Sequence, residues 1–269
     1  MRNQIYGILF IFAIVFGLSG ISSKAIADQT AMVYKSGDRS SGYTYATKET
    51  QSIQDDDLAN PAYLWLDEGA ELWNKVEGKA GKSLRTAWQI VGEYASEAGV
   101  TYPKYNAKLG KMQSLEQRIN QLRTEVMGAK PYKWESKEML SITIFIRNLS
   151  RGKPINVSID GPVIPFFNAG KKFFEAKRGQ LDMSCMNCHE ENNGNMIRAN
   201  TLSEGQSNGF PTYRLKWQKP GSIHRRFRGC NKQVRSKPFK YGSDEYVNLE
   251  LYVAWRGRGL SVETPAIRN

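Results

Sequence analysis

The chain has 269 residues, with 38 Lys and Arg against 26 Asp and Glu, for a formal net charge of +12. That length allows one large domain or two small ones. The basic charge is scattered through helical segments instead of forming an arm, which argues against a nucleic-acid-binding tail and for a field that attracts anions.

The first residues combine a basic start at Arg2 with an apolar run from Ile8 to Leu18 and a small-x-small site at Ala25-Ile26-Ala27. They are expected to form a signal peptide over 1–27, with the mature, periplasmic chain beginning at Asp28. The run is short for a membrane span, so a retained anchor is the weaker reading, and no later segment is apolar enough to cross a bilayer. Residues 28–60 are polar, and SGYTYATKETQSIQDDDLANP reads as an extended arm lying over a domain. Asp55-Asp56-Asp57 is expected to be a solvated turn or helix start and not a metal site.

The rest of the chain repeats itself. EGAELWNKVEGKAGKSLRTAW (68–88) aligns with AGKKFFEAKRGQLDMSCMNCH (169–189), matching Gly69 with Gly170, Leu72-Trp73 with Phe173-Phe174, Gly78 with Gly179 and Ser83 with Ser184. Downstream, Tyr102-Pro103 matches Phe210-Pro211 and Lys130-Pro131-Tyr132-Lys133 matches Lys237-Pro238-Phe239-Lys240. EMLSITIFIRNLSRG (138–152) then matches EYVNLELYVAWRGRG (245–259). Each closing segment is expected to be a helix capped by Ser136 or Ser243, although the β-branched residues at 142–146 also suit a strand. Trp65, Trp73, Phe173, Phe174 and Trp255 are expected in the cores. The expected architecture is mainly α: two tandem cytochrome c-like domains from an internal duplication, 61–152 without haem and 169–269 with it. Residues 153–168, rich in Pro and Gly, read as a linker with a short hairpin.

Cys185-Met186-Asn187-Cys188-His189 is the attachment motif of a c-type haem. Two thiols at this spacing add to the haem vinyl groups, and the adjacent imidazole ligates iron. A redox dithiol has no need of the His, and a zinc site lacks a second ligand pair. In the first repeat Leu84, Ala87 and Trp88 stand where Cys185, Cys188 and His189 stand in the second, so one covalently attached haem c is expected. Trp88 and Leu84 should fill part of the space a porphyrin would have left. Candidates for the second axial position are His224, Cys230, Met183, Met186 and Met196, of which Met183 and Met186 lie too close to the motif to reach around the ring. Cys230 follows the basic residues of GSIHRRFRGCN (221–231), and neighbouring cations favour a thiolate. In a helix Arg226 would share its face.

Over nearly the whole mature chain these features resemble the SoxA family, the A subunits of the Sox thiosulfate-oxidising cytochromes. The resemblance is carried by QDDDLANPAYLWLDEG (54–69), the duplication, CMNCH (185–189) and TYRLKWQKPGSIHRRFRGCN (212–231). It implies haem c held by Cys185, Cys188 and His189, Cys230 as a persulfide-bearing axial ligand, and Arg226 beside the substrate channel. It also implies a periplasmic thiosulfotransferase that joins thiosulfate oxidatively to a cysteine of the SoxYZ carrier. A heterodimer with the SoxX haem subunit would pass electrons to a small cytochrome c. Leu84, Ala87 and Trp88 depart from the two-haem members and match a single-haem type. The competing readings are a periplasmic c-type electron carrier without catalysis and a haem peroxidase, which wants two cooperating haems.

Overall fold

The computed structural model describes residues 31–269, so the signal peptide expected over 1–27 lies outside the described residues. From residue 31 the expected arm is folded, not extended. It forms a small hairpin, β1 (Lys35–Ser36) with β2 (Arg39–Ser40), then a single 3-10 turn, then helix α1 (Lys48–Asp55). The Thr47 side chain starts α1 by accepting the Thr50 N–H, which satisfies one of the orphan donors of the first turn. The aspartates end this helix instead of starting one. Asp55 is its last residue, and the Asp56 carboxylate accepts the N–H groups of Leu58 and Ala59 in the turn that follows. This segment packs on the second half of the chain. Val33 N–H donates to Ser261 Oγ at 2.8 Å, and Ile267 N–H donates to Gln54 Oε1 at 3.0 Å.

The first repeat consists of α2 (Tyr63–Asn74), α3 (Leu84–Ile90), α4 (Ala95–Thr101), a hairpin of β3 (Lys104–Asn106) and β4 (Lys111–Gln113), α5 (Leu115–Gln121) and α6 (Lys137–Asn148). A π-helical turn, Leu122–Val126, prolongs α5. The second repeat follows the same plan: α7 (Ile164–Glu175), α8 (Cys185–His189), a hairpin of β5 (Met196–Ile197) and β6 (Asn200–Thr201), β7 (Thr212–Arg214), β8 (Lys219–Gly221), α9 (Ile223–Gln233) and α10 (Asp244–Arg256). The last strand, β9 (Ala266–Arg268), runs parallel to β7, and β8 pairs antiparallel on its other side.

Both closing segments are helices. Ser136 caps α6 by accepting Met139 N–H, whereas Ser243 begins α10 without a side-chain cap. The β-branched residues of α6 stay helical because Ile142, Thr143, Ile144 and Ile146 are all buried and the Thr143 hydroxyl donates to the Met139 carbonyl at 2.7 Å. Burial here outweighs a small loss in intrinsic propensity.

Two glycine pairs show why the repeat was legible. α2 crosses α6 so closely that a Cβ at Gly69 would lie 2.2 Å from the Ser141 carbonyl, and one at Gly170 would meet Asn248 of α10 at 2.0 Å. Gly78 and Gly179 hold φ of +73° and +69° and press equally hard on the Met127 and Val234 carbonyls. Any side chain at Gly69 or Gly170 would force two helices apart, and one at Gly78 or Gly179 would clash with the chain at the end of the π turn or of α9.

Residues 153–160 run as irregular chain, without the hairpin that their alternation suggested. They are pinned to residues 260–262: Ile155 N–H donates to the Leu260 carbonyl at 2.9 Å and Val262 N–H to the Lys153 carbonyl at 2.9 Å. Ile155, Val157 and Val163 are buried with Val247, Leu251 and Val262. The segment is thus a wedge in a shared core, and α7 already begins at Ile164.

Candidate haem and anion site

Helix α8 is a single short turn made for presentation. Ser184 and Asn187 close a reciprocal capping box, which lets five residues stand as a helix and turns Cys185, Cys188 and His189 toward α9. His189 Nδ1 lies 2.7 Å from the Ser203 carbonyl, which can only accept, so Nδ1 carries the proton and Nε2 keeps its lone pair. Backbone also crowds this ring: at Gly205, with φ of +77°, a Cβ would meet the imidazole at 2.8 Å.

Opposite stands α9, started by Ser222, whose side chain accepts Arg225 N–H at 3.2 Å. The expected helical register holds, so Arg226 and Cys230 share a face one turn apart. Cys230 is half-buried. Burial pushes its thiol up, but the Arg226 guanidinium, the adjoining His189 imidazole and Arg214 outweigh it and hold the thiol down at about 7. Cys185 behaves in the opposite way, pushed up to about 12 by burial and by the charge of Cys230. Cys188 is raised by burial and by Cys230 against the pull of Arg226. The five residues expected to form the site therefore converge. Two thiols, an imidazole with an unprotonated Nε2 and a thiolate-prone cysteine across from it are the donor set that a covalent, doubly ligated haem requires, so these residues fit the group.

The rivals for the second axial position are committed elsewhere. His224 is fully buried: Gly242 N–H donates to its Nδ1 at 3.1 Å, so its Nε2–H donates to Glu250 Oε2 at 3.1 Å. Met196 stands 64 % exposed on β5, its sulfur beside the Thr201 hydroxyl. The basic stretch ahead of Cys230 also divides by task. Arg225 lies over Trp217 and pairs with Glu135, and Arg228 lies over Tyr241 and donates to the Phe239 carbonyl. Among the described residues Arg226 has no such partner, and its charge faces the thiol.

Sequence reasoning missed Arg214, which sits on β7 inside the quoted stretch 212–231. Its Nε donates to the Asn269 carbonyl at 2.6 Å. Burial, then the like charge of Arg226, pull it down to about 10, against the pull of Cys230. Two guanidinium groups thus look onto one sulfur. No periodicity marks Arg214, because β7 reaches the site only through its place in the sheet.

The first repeat displays the same positions closed. Leu84, Ala87 and Trp88 are buried at 0 %, 0 % and 1 % exposure, and the Trp88 ring lies 6.0 Å from Trp73. Aligning the helix caps Ser114 and Ser222 brings Leu122 to the position of Cys230, and Leu122 is buried in the same core. The same alignment brings Arg118 to the position of Arg226. There the guanidinium is neutralised: Arg118 Nη2 lies 2.9 Å from Glu93 Oε1.

Comparison with known proteins agrees with this duplication. The family model described as SoxA/TsdA, cytochrome c domain, matches twice, over residues 68–155 and 169–262. The L-cysteine S-thiosulfotransferase subunit SoxA of Rhodovulum sulfidophilum is 42 % identical over 229 residues, 85 % of this chain and 80 % of that protein. The subunit of the same name from Chlorobaculum tepidum is 31 % identical across the full length of both chains. A chain in the crystal structure of SoxXA from P. pantotrophus superposes with a TM-score of 0.80 at 40 % identity, covering 86 % of this chain and 87 % of the other.

Proposed function

Since the chain belongs to the SoxA family of L-cysteine S-thiosulfotransferase subunits, we propose that it conjugates thiosulfate oxidatively to a cysteine of a sulfur-carrier protein, SoxYZ, with Cys230 as the sulfur-bearing group. Cys185 and Cys188 would hold one haem c by thioethers, and His189 and Cys230 would supply the ligands to its iron. When bound, that haem would supply an iron whose potential the thiolate lowers and which in turn tunes the sulfur. All further steps belong to the chain and its partners.

Thiosulfate enters as a dianion, and Arg226 offers a planar, permanently charged fork to the sulfonate oxygens. This orients the terminal sulfur toward Cys230. Joining the two sulfurs turns a thiolate and a thiosulfate into Cys–S–S–SO3⁻ and releases two electrons, which leave through a SoxX-type haem subunit toward a small cytochrome c. The carrier's cysteine thiolate then attacks the sulfur bonded to SO3. The Cys230 thiolate leaves, the carrier keeps the thiosulfonate and the site is restored. If Cys230 already carries an extra sulfur as a persulfide, the same steps run from that sulfur. The periplasm, reached by the signal peptide, is where covalent haem and these partners meet.

The observation that carries this reading is the placement of Cys230 one helical turn from Arg226 on α9 and across from His189. Cys230→Ala is expected to keep both thioethers, shown by intact mass and a pyridine haemochrome assay, while losing the His/thiolate low-spin EPR signal and thiosulfate-dependent turnover. Near wild-type turnover in that variant would return the protein to the class of plain electron carriers. The same mass measurement is expected to find one haem per chain.

A further inference from the structure

Helix α9 carries both Cys230 and Arg226, yet its own N-terminus is electrostatically poor. Its first turn contains Arg225 and Arg226 and no acidic residue, whereas the positive end of a helix dipole favours anions. The equivalent helix of the first repeat needs no help. α5 has Glu116 in its first turn and a complete capping box between Ser114 and Gln117.

In α9 the missing acid comes from the other repeat. The turn between α5 and α6 projects Glu135 onto the helix start, where Oε1 accepts the N–H of the N-cap residue Ser222 at 3.2 Å. Oε2 of the same carboxylate lies 3.6 Å from Arg225 Nη1. Beside it, the Trp134 indole lies nearly parallel on the His224 ring at 4.8 Å and on Tyr241 at 5.8 Å. Gln117 of α5 completes the contact by donating to the Gly242 carbonyl at 2.9 Å, while the Gly242 N–H holds His224. Glu135 has φ of +62°, a left-handed conformation that costs a non-glycine residue energy. Such a residue persists only where its surroundings over-determine it, and these positions gather at functional sites.

We propose that the haem-less repeat is a positioning element of the site: through Glu135 and Trp134 it fixes where α9 sits, and so where Cys230 stands relative to His189. This rests on the reading of Cys230 as haem ligand and sulfur-bearing group. It assigns the first repeat a task in the reaction and makes Glu135 a positioning residue that touches neither substrate nor haem.

The test uses the haem-loaded chain in complex with its partner haem subunit and reads the ferric EPR signal, kcat and KM. Glu135→Ala is expected to split or shift the low-spin signal and lower kcat about tenfold, with haem content and KM unchanged. Glu135→Gln should fall between, because its amide oxygen still accepts the Ser222 N–H but carries no charge. Adding Arg225→Glu to Glu135→Ala places an acid at the third position of α9, where with Ser222 it builds the helix its own capping box, and should restore the signal. A control, Glu68→Ala, breaks a surface ion pair with Lys137 inside the first repeat and should leave the spectrum alone. An unchanged signal and kcat in Glu135→Ala overturn the proposal even if the melting temperature falls. Where Glu135→Ala does not accumulate, the same result in Glu135→Gln overturns it. A wild-type spectrum without thiolate character would refute the ligand reading instead, whatever Glu135 does.

Discussion

Arg226 and Arg214 differ in freedom although they face the same sulfur. Arg214 spends its Nε on the Asn269 carbonyl, so only its outer nitrogens are available, whereas Arg226 has its whole fork. Charge-assisted hydrogen bonds to an anion are worth roughly 1.5–3 kcal/mol, so Arg226→Ala should lower kcat/KM by about ten- to a hundredfold. Arg226→Lys should recover only part of that, because an ammonium cannot present two parallel donors. Arg214→Gln should raise KM by a smaller factor and leave kcat near its starting value, because it removes field strength more than orientation. Steady-state kinetics with thiosulfate, alongside EPR showing the His/thiolate signal retained, measures each of these. A kcat loss in Arg214→Gln as deep as that of Arg226→Ala would show that the two act as one clamp.

At the scale of elements, α3 is the counterpart of α8 with Leu84, Ala87 and Trp88 at the positions of Cys185, Cys188 and His189. These apolar residues are packed into the first repeat's core, and the packing has one flaw: Trp88 Nε1 is buried without a hydrogen-bond partner. Trp88→Ala should therefore cost about 3–5 kcal/mol through the cavity it leaves, whereas Trp88→Phe also removes an orphan donor and should cost distinctly less. Thermal or urea unfolding of the two variants gives the comparison. The same helices show what the sequence made legible. CMNCH could be read at once because its chemistry demands a fixed local spacing, and Arg226 with Cys230 followed once a helix was assumed. The closing helices and the glycine pairs were legible because their pattern occurs twice. Glu135, Arg214 and the wedge at 153–160 were not, because each owes its place to residues far along the chain. His224 stood as an axial candidate by residue type alone, and only its burial and its bonds to Gly242 and Glu250 remove it.

For the whole molecule, the two repeats meet over a buried polar cluster that includes Glu116, Arg147, His224 and Glu250. Burial, then the charge of Glu250, raise the Glu116 carboxyl to about 7, against His224 and the Ser114 hydroxyl that donates to it at 2.9 Å. The folded protein thus holds a proton that the unfolded chain releases near its ordinary value of 4.5. A raised carboxyl contributes stability that is complete below the ordinary value and is lost as pH rises through the folded one. The contact between repeats should weaken from about pH 4.5 to about 7. Glu116→Gln, neutral at every pH, should flatten the melting temperature across that window and raise it at the upper end. A wild-type profile with no slope there, or an unchanged slope in the variant, would assign the pH dependence to other groups.

The ion pair of Arg118 with Glu93 in the closed repeat bears on selectivity. It shows a guanidinium at this position of the fold accepting an ordinary carboxylate, with nothing in the contact that distinguishes sulfur from carbon. The open counterpart at Arg226 should then be an indifferent receptor, occupied by acetate or sulfate as readily as by the intended anion. Discrimination falls on reactivity instead, since only an anion with a sulfane sulfur can form a bond with Cys230. Buffer choice becomes a variable of every assay: acetate and sulfate should act as simple competitors that raise the apparent KM for thiosulfate and leave the maximal rate alone.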